Sequence, residues 1–240
     1  MKDNFLKIAL IPARSGSKGL KNKNIKKING KELIYYSIQS AKILKPDKII
    51  VSTDSVRIKN IAIKYGAEVP FLRPKKISSD VSTDLDVFKH FIDWYKKNYH
   101  LIPKIIYHLR VTTPFRKKKK LLEAKKIFLK NDSFSSLRSF KKSIKTPYKM
   151  WKINNKIAVP FVKSKKEMHS MGRQFLPKTY DHIGYIDILR PNKTILKKTM
   201  TGNKVYPFLP SKIDDYYIDI DNKKDFEIAK KIKFNDKNIY

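Results

Sequence analysis

The stretch IPARSGSKGLKNKN, Ile11–Asn24, sets Arg14, Lys18, Lys21 and Lys23 among small residues directly after a short apolar run. Glycines at 16 and 19 suit tight turns and leave backbone N–H groups exposed, and such nests bind phosphate oxygens. Lysine and arginine add the charge that a polyphosphate needs. The spacing is not that of the P-loop, which places Lys-Ser/Thr after its second glycine, nor is it G-x-G-x-x-G. Two readings of the stretch stand: an anion cradle, or a plain strand–loop–helix turn with solvated lysines.

Asp219 and Asp221, in YIDID, are two positions apart. On a strand that spacing puts both carboxylates on one face. Neighbouring carboxylates repel, so a shared cation is one reason for the pair, magnesium if a nucleoside triphosphate is bound. An exposed strand of alternating Asp and Ile is the other. LRVTTPFR, 109–116, ends an apolar run with Arg110 and Arg116. An arginine there can clamp a carboxylate or phosphate, or make a surface salt bridge. Asp54, in STDS, is either a ligand at the same edge or the N-cap of the next helix. RQFLPKTYDHIGY, 173–185, offers Arg173, Gln174, Tyr180 and His182 to a ligand or to a lid or dimer contact. The histidines show no metal-ligand spacing.

The elements that must position these residues follow from hydrophobic period. Strands are expected at Lys7–Pro12, 48–53, 104–112 and 133–140, and around Tyr217, Ile218 and Ile220. Helices are expected at 31–44, at 56–66 with Gly66 as its stop, at 83–98 capped by Thr83 or Asp84, and at 117–130. A final helix carries Phe226, Ile228, Ala229 and Ile232, with Asp225 placed to cap it. Such alternation predicts an α/β fold, a mostly parallel sheet with helices on both faces. Ligands of such sheets sit beyond the carboxyl ends of the strands, where ARSGSKG, TDS and RVTTPFR fall. Residues 141–210 break the pattern and read as an insertion within a single 1–240 domain, carrying a hairpin or two and suited to a substrate lid or a dimer contact.

The chain has 240 residues, 41% of them hydrophobic, enough for a sizeable core. It has no cysteine, which excludes disulfides and thiolate chemistry. No window approaches the ~18 apolar residues of a membrane span, and the first apolar run is short for a signal peptide. A soluble cytoplasmic protein without membrane insertion is expected. The formal charge of +34 is spread along the chain, with only KKKK at 117–120 forming a block. Abundant lysine, isoleucine, asparagine and tyrosine fit AT-rich codon usage better than a specific nucleic-acid partner, although such charge attracts any anionic substrate.

Together these stretches resemble the acylneuraminate cytidylyltransferases, or CMP-sialic acid synthetases. I-P-A-R-x-G-S-K-G-L-x-x-K-N is whole at Ile11–Asn24, and FLRP…SD, Phe71–Asp80, is similar to the next family block. LRVTTPFR is similar to L-Q-P-T-S-P-L-R, RQFLPKTYDHIGY to R-Q-x-L-P…Y…N-G, and IDIDNKKDF to I-D-I-D-x-x-x-D. The blocks stand in family order over nearly the whole chain. The resemblance implies a Rossmann-like nucleotidyltransferase fold and a homodimer whose insertion reaches the neighbour's site. It implies a magnesium-dependent reaction of CTP with a 2-keto-3-deoxy nine-carbon sugar acid, giving CMP-sugar and pyrophosphate. Carried over by position, Arg14, Ser17, Lys18, Lys23 and Asn24 would hold the nucleotide and its phosphates, with Arg73 near the cytidine. Asp219 and Asp221 would bind magnesium, and Arg173, with Gln174, would face the sugar. Arg14, Lys23 and Asp221 would assist in-line attack of the anomeric hydroxyl on the α-phosphorus.

Three positions depart from the pattern. The family's glutamine is Arg110, its next proline is Val111, and the asparagine before glycine is Ile183. Arg110 adds a charge that could grip a sugar carboxylate, and Ile183 removes an amide. These changes point to a relative of sialic acid, such as legionaminic acid, as substrate. The rival readings are a sugar-1-phosphate nucleotidyltransferase using another base, and a basic protein that binds RNA or an anionic surface.

Overall fold

The computed structural model describes residues 6–164, 166–210 and 217–232. The chain divides into two units, Met1–Ser139 with Ile183–Tyr240, and Phe140–His182. In chain order the strands and helices are β1 (Lys7–Pro12), β2 (Lys27–Ile28), β3 (Lys31–Glu32), α1 (Leu33–Ile43), β4 (Lys48–Ser52), α2 (Val56–Lys64), α3 (Asp84–Tyr99), β5 (Ile105–His108), α4 (Lys118–Leu129), β6 (Ser136–Lys142), β7 (Trp151–Asn154), β8 (Ile157–Pro160), β9 (Tyr180–Leu189), β10 (Val205–Phe208) and α5 (Lys223–Lys231).

The central sheet has the order β10-β6-β9-β5-β1-β4. Strand β1 pairs in parallel with β4 and β5, and β10 with β6, while β9 runs antiparallel to β5. The sheet is parallel-dominated but mixed. Alternate residues of β1 enter different cores, as a period of two requires. Ala9 and Ile11 join a cluster with Ile34 and Ile38 of α1, Ala62 of α2, Phe128 of α4 and Phe226 of α5. Ile8 and Leu10 join a second cluster with Phe88, Phe91 and Ile92 of α3. Helices therefore cover both faces, and the loops at the carboxyl ends of β1, β4 and β5 are left to build a site.

Local chemistry sets the helix ends. Ser55, rather than Asp54, caps α2 by accepting from the N–H of Ile58. Thr83 and Asp86 form a reciprocal capping box on α3, as Asn222 and Asp225 do on α5. Gly66 follows α2 at φ 88, a conformation open to glycine. The piece EVPFLR adds isolated parallel bridges to β4, Ile50 to Glu68 and Thr53 to Leu72. The Arg73 N–H then donates to Thr53 O at 2.7 Å, which brings Arg73 to the same edge.

Three expected boundaries differ. Strand β5 stops at His108 instead of running to 112, because Thr113 N–H turns back to Arg110 O and Pro114 has no N–H for a ladder. Residues 217–221 form no strand. The Ile220 N–H reaches Thr112 O, but the N–H groups of Asp221 and Asn222 are captured by the Asp225 carboxylate of the α5 cap. The second unit ends at His182, and residues 183–210, expected inside the insertion, return to the central sheet through β9 and β10.

The second unit carries one hairpin, β7 against β8, in antiparallel register from Trp151–Pro160 to Asn154–Ile157. Asn155 and Lys156 connect the strands, both at positive φ, 47 and 69, which suits the twist of a two-residue hairpin turn.

Candidate active site

The loop after β1 is fixed by side chains before any ligand arrives. Ser15 donates its N–H and its Oγ–H to the two oxygens of Asp54, at 2.8 and 2.7 Å. Asn24, buried, donates from Nδ2 to Arg14 O at 2.8 Å. Asn22 takes a left-handed conformation and starts a 3-10 turn over Lys23–Ile25. Gly19 lies against the carbonyl of Asp221, so close that a Cβ there would stand 2.2 Å from the oxygen. The N-terminal loop and the C-terminal aspartate thus meet in space.

A cleft of about 350 Å³ opens beside this loop. Its lining includes Arg14, Ser17, Lys18, Lys23, Asn24, Arg73, Arg110 and Asp221. These are most of the residues singled out from the sequence. The exceptions are Asp219, which is absent from the lining, and Arg173 and Gln174, which belong to the second unit and line its own cleft of about 540 Å³.

Three cations of the loop are already engaged. Arg14 and Lys18 both reach Asp80, at 2.6 Å each, and Lys23 Nζ stands 3.2 Å from Asp221 Oδ1. Lys18 and Arg14 hold the Asp80 carboxyl below its usual range. Sequence reasoning left Asp80 without a role, although it closes the FLRP…SD block.

Arg73 differs from those cations. Its side chain is 5% exposed, and Nε and Nη2 are buried without a hydrogen-bond partner among the described residues. Burial pulls its pKa down. A guanidinium edge kept dry and unpaired on a cleft wall is costly, and a ligand with two adjacent acceptors would satisfy it.

Arg110 is not free to grip a ligand. Nη1 reaches the fully buried Asp187 at 2.7 Å and Nη2 reaches Asp84 at 3.0 Å. Burial alone would lower its pKa, but the two carboxylates outweigh that and raise it. The charge expected to hold a sugar carboxylate is neutralised within the protein. His108, next to it, is fully buried, and its Nδ1 stands 3.6 Å from Asp187, beyond hydrogen-bond reach. Burial, with Arg110 nearby, lowers its pKa, so the imidazole is neutral. Arg116 makes neither of the contacts expected of it. It is completely buried and donates to the carbonyls of Tyr185, Gly184 and Arg110 and to Ser37 Oγ. Without a bonded carboxylate its pKa is pushed down to about 10 by burial. It ties β9 to the loop after β5.

The two aspartates divide in character. Asp221 is exposed in the cleft, while Asp219 Oδ1 is buried with no hydrogen-bond partner among the described residues. Among the described residues no three His, Asp or Glu side chains converge as a metal group. Asp219 and Asp221 each offer hard carboxylate oxygens, the donor type of a dication that takes its remaining ligands from phosphate and water.

Comparison with known proteins gives the chain a family and relatives. The family model described as "Cytidylyltransferase" matches residues 8–232. "Post-translational flagellin modification protein B" of Campylobacter coli is 32% identical over 226 residues, 92% of this chain and 92% of that protein. An N-acylneuraminate cytidylyltransferase of Streptococcus agalactiae is 30% identical over 223 residues, 91% of this chain, and the match spans 51% of that longer protein. Among solved structures, CMP:2-keto-3-deoxy-manno-octonic acid synthetase complexed with CTP superimposes with a TM-score of 0.64 at 13% identity, covering 93% of this chain and 96% of that one. At that identity the likeness speaks for the fold.

Proposed function

The chain belongs to the cytidylyltransferase family, matched over residues 8–232, and from that premise we propose that it joins CTP to a 2-keto-3-deoxy nonulosonic acid, sialic, legionaminic or a related one, releasing pyrophosphate. The observation that carries this reading is Arg73. Its unpaired Nε and Nη2 lie buried on the cleft wall. Cytosine offers two adjacent acceptors, O2 and N3, to such an edge, whereas uracil carries a proton on N3. A site that leaves buried donors unpaired rejects the wrong base strongly.

The phosphates then fall to Arg14, Ser17, Lys18 and Lys23, with Asn24 acting through its bond to Arg14 O. Asp219 and Asp221 would hold magnesium, which neutralises charge on the phosphates when bound. The anomeric hydroxyl attacks the α-phosphorus in line, and charge grows on the pyrophosphate leaving oxygens, where Arg14 and Lys23 stabilise it. Arg110, held by Asp84 and Asp187, orders the cleft floor rather than binding a carboxylate. Arg173 and Gln174 are the remaining candidates for the sugar acid.

A homodimer through the second unit is supported by its exposed apolar side chains. Trp151, Ile153, Ile157, Phe161 and Phe175 are all more than one-third exposed, more than a free surface of that size usually shows. No helix among the described residues is long and apolar enough to cross a membrane. We place the enzyme in the cytoplasm, where CTP is made.

The test is pyrophosphate release from each of four nucleoside triphosphates with a panel of keto sugar acids and magnesium. Release that requires CTP and one sugar acid supports the proposal. Preference for another base would favour a different sugar nucleotidyltransferase. Silence with every pair, alongside tight, salt-sensitive RNA binding, would favour the basic binding protein.

A further inference from the structure

Two cations of the β1 loop, Arg14 and Lys18, share the carboxylate of Asp80. Its Oδ1 lies 2.6 Å from Arg14 Nη2 and its Oδ2 lies 2.6 Å from Lys18 Nζ. It rides on a different segment, one fastened to α3. Ser79 donates its N–H to Ser82 Oγ at 3.1 Å, and Thr83 caps α3. Ser79 and Ser82, on either side of Asp80, both line the cleft.

A carboxylate bridging two cations occupies the same donors that two non-bridging phosphate oxygens would. The contact is also easily broken. The Lys18 side chain is 83% exposed and that of Asp80 35%, and ion pairs of such exposure contribute little net stability. Among the described residues the Asp80 carboxylate has no side-chain partner besides these two cations, whereas the loop that holds Arg14 and Lys18 is independently fixed through Asp54 and Asn24. We propose that Asp80 is a positioning residue that acts as an exchangeable counter-ion. It keeps Arg14 and Lys18 in the cradle between turnovers, yields them to phosphate oxygens on nucleotide binding, and takes them back as pyrophosphate leaves. The inference rests on the nucleotidyltransferase reading above for its place in the reaction, and on geometry alone for the exchange.

Competition of this kind weakens phosphate binding and speeds product release. The experiment is calorimetric titration of the full chain with inorganic tripolyphosphate, which probes the cradle without base, sugar or turnover. Asp80→Asn should bind it about tenfold more tightly than the wild type, the scale of one charge-assisted hydrogen bond. Asp80→Ser repeats the test without an amide that could still bond Arg14. Glu227→Gln, which removes an acid paired with Lys230 on α5, makes the same change in net charge and should leave binding unaltered. With substrates, Asp80→Asn should lower KM for CTP, lower kcat and strengthen inhibition by pyrophosphate. A scaffold role for Asp80 predicts the opposite, weaker tripolyphosphate binding and a higher KM. Equal or weaker binding by both folded Asp80 variants overturns the proposal, and so does an equal gain in Glu227→Gln. If the gain is seen but no nucleoside triphosphate is turned over, the exchange stands and the cytidylyltransferase reading falls.

Discussion

Lys23 Nζ lies 3.2 Å from Asp221 Oδ1, a contact between side chains 198 positions apart. Gly19, on the same loop as Lys23, lies against the Asp221 carbonyl, where an added Cβ would stand 2.2 Å from the oxygen. Backbone cannot yield as a flexible side chain would, so Gly19→Ala must shift either the loop or the aspartate. Loss of about 10²-fold in kcat is expected for a displacement near 1 Å, with the far-UV circular dichroism spectrum unchanged. Wild-type turnover in Gly19→Ala would show that this contact does not position the site.

Asp221→Asn tests the metal assignment. It removes a carboxylate that is exposed in the cleft, so the fold should be retained while magnesium-dependent pyrophosphate release is lost. A thermal melt and a magnesium titration of turnover check the two halves. Full activity in this variant would remove the paired-carboxylate argument.

Arg73→Lys keeps the charge but loses the planar fork. For CTP, kcat/KM should fall about 10- to 100-fold, the range of a lost charge-assisted hydrogen bond, while the rate with UTP changes little. Competition between the two nucleotides measures the ratio directly. A CTP preference that survives the substitution would place base recognition elsewhere.

His108 predicts an acid-side loss of stability. Burial and Arg110 lower its pKa, while Asp84 and Asp187 oppose the shift. The folded imidazole is therefore neutral when the unfolded one, with a pKa near ~6.5, begins to protonate. Its contribution is complete above that value and is lost as pH falls through the depressed folded pKa, with a slope of at most about 1.4 kcal/mol per pH unit. His108→Gln should flatten urea-derived stability between pH 6.5 and 5.5. His90, also lowered by burial, keeps its own share of the slope, so complete loss of the pH dependence is not expected.

Arg116→Met separates scaffold from site. The substitution removes the guanidinium donors from the buried carbonyls of Tyr185 and Gly184 and one of several donors from that of Arg110, which keeps Ser37 Oγ and the Thr113 N–H. About 3 kcal/mol of destabilisation is expected from unsatisfied acceptors, read as a lower urea midpoint. Unchanged stability with lost CTP binding would return Arg116 to the ligand role that its place in LRVTTPFR suggests.

Much of the architecture is local information. The apolar run of Lys7–Pro12, the helical period of Val56–Lys64 and the N-cap candidate at Thr83 lie in a few consecutive residues, and a strand or helix must obey them wherever it packs. The same holds for the phosphate-binding character of Ile11–Asn24, since glycines and cations on one loop need no distant partner to be recognised. Tertiary structure alone decided which charges remain available. Arg110 and Arg116 look like neighbours of equal promise in LRVTTPFR, yet one is neutralised by Asp84 and Asp187 and the other is buried against carbonyls. Arg73, picked out in FLRPKK only through the family resemblance, holds a guanidinium edge that is buried and unpaired among the described residues. The strand expected at Tyr217–Ile220 failed for a related reason, because the Asp225 cap took the N–H groups of Asp221 and Asn222. Burial and the partner of a charge depend on segments far away in sequence, and desolvation, which sets the worth of each charge, exists only once those segments have packed together.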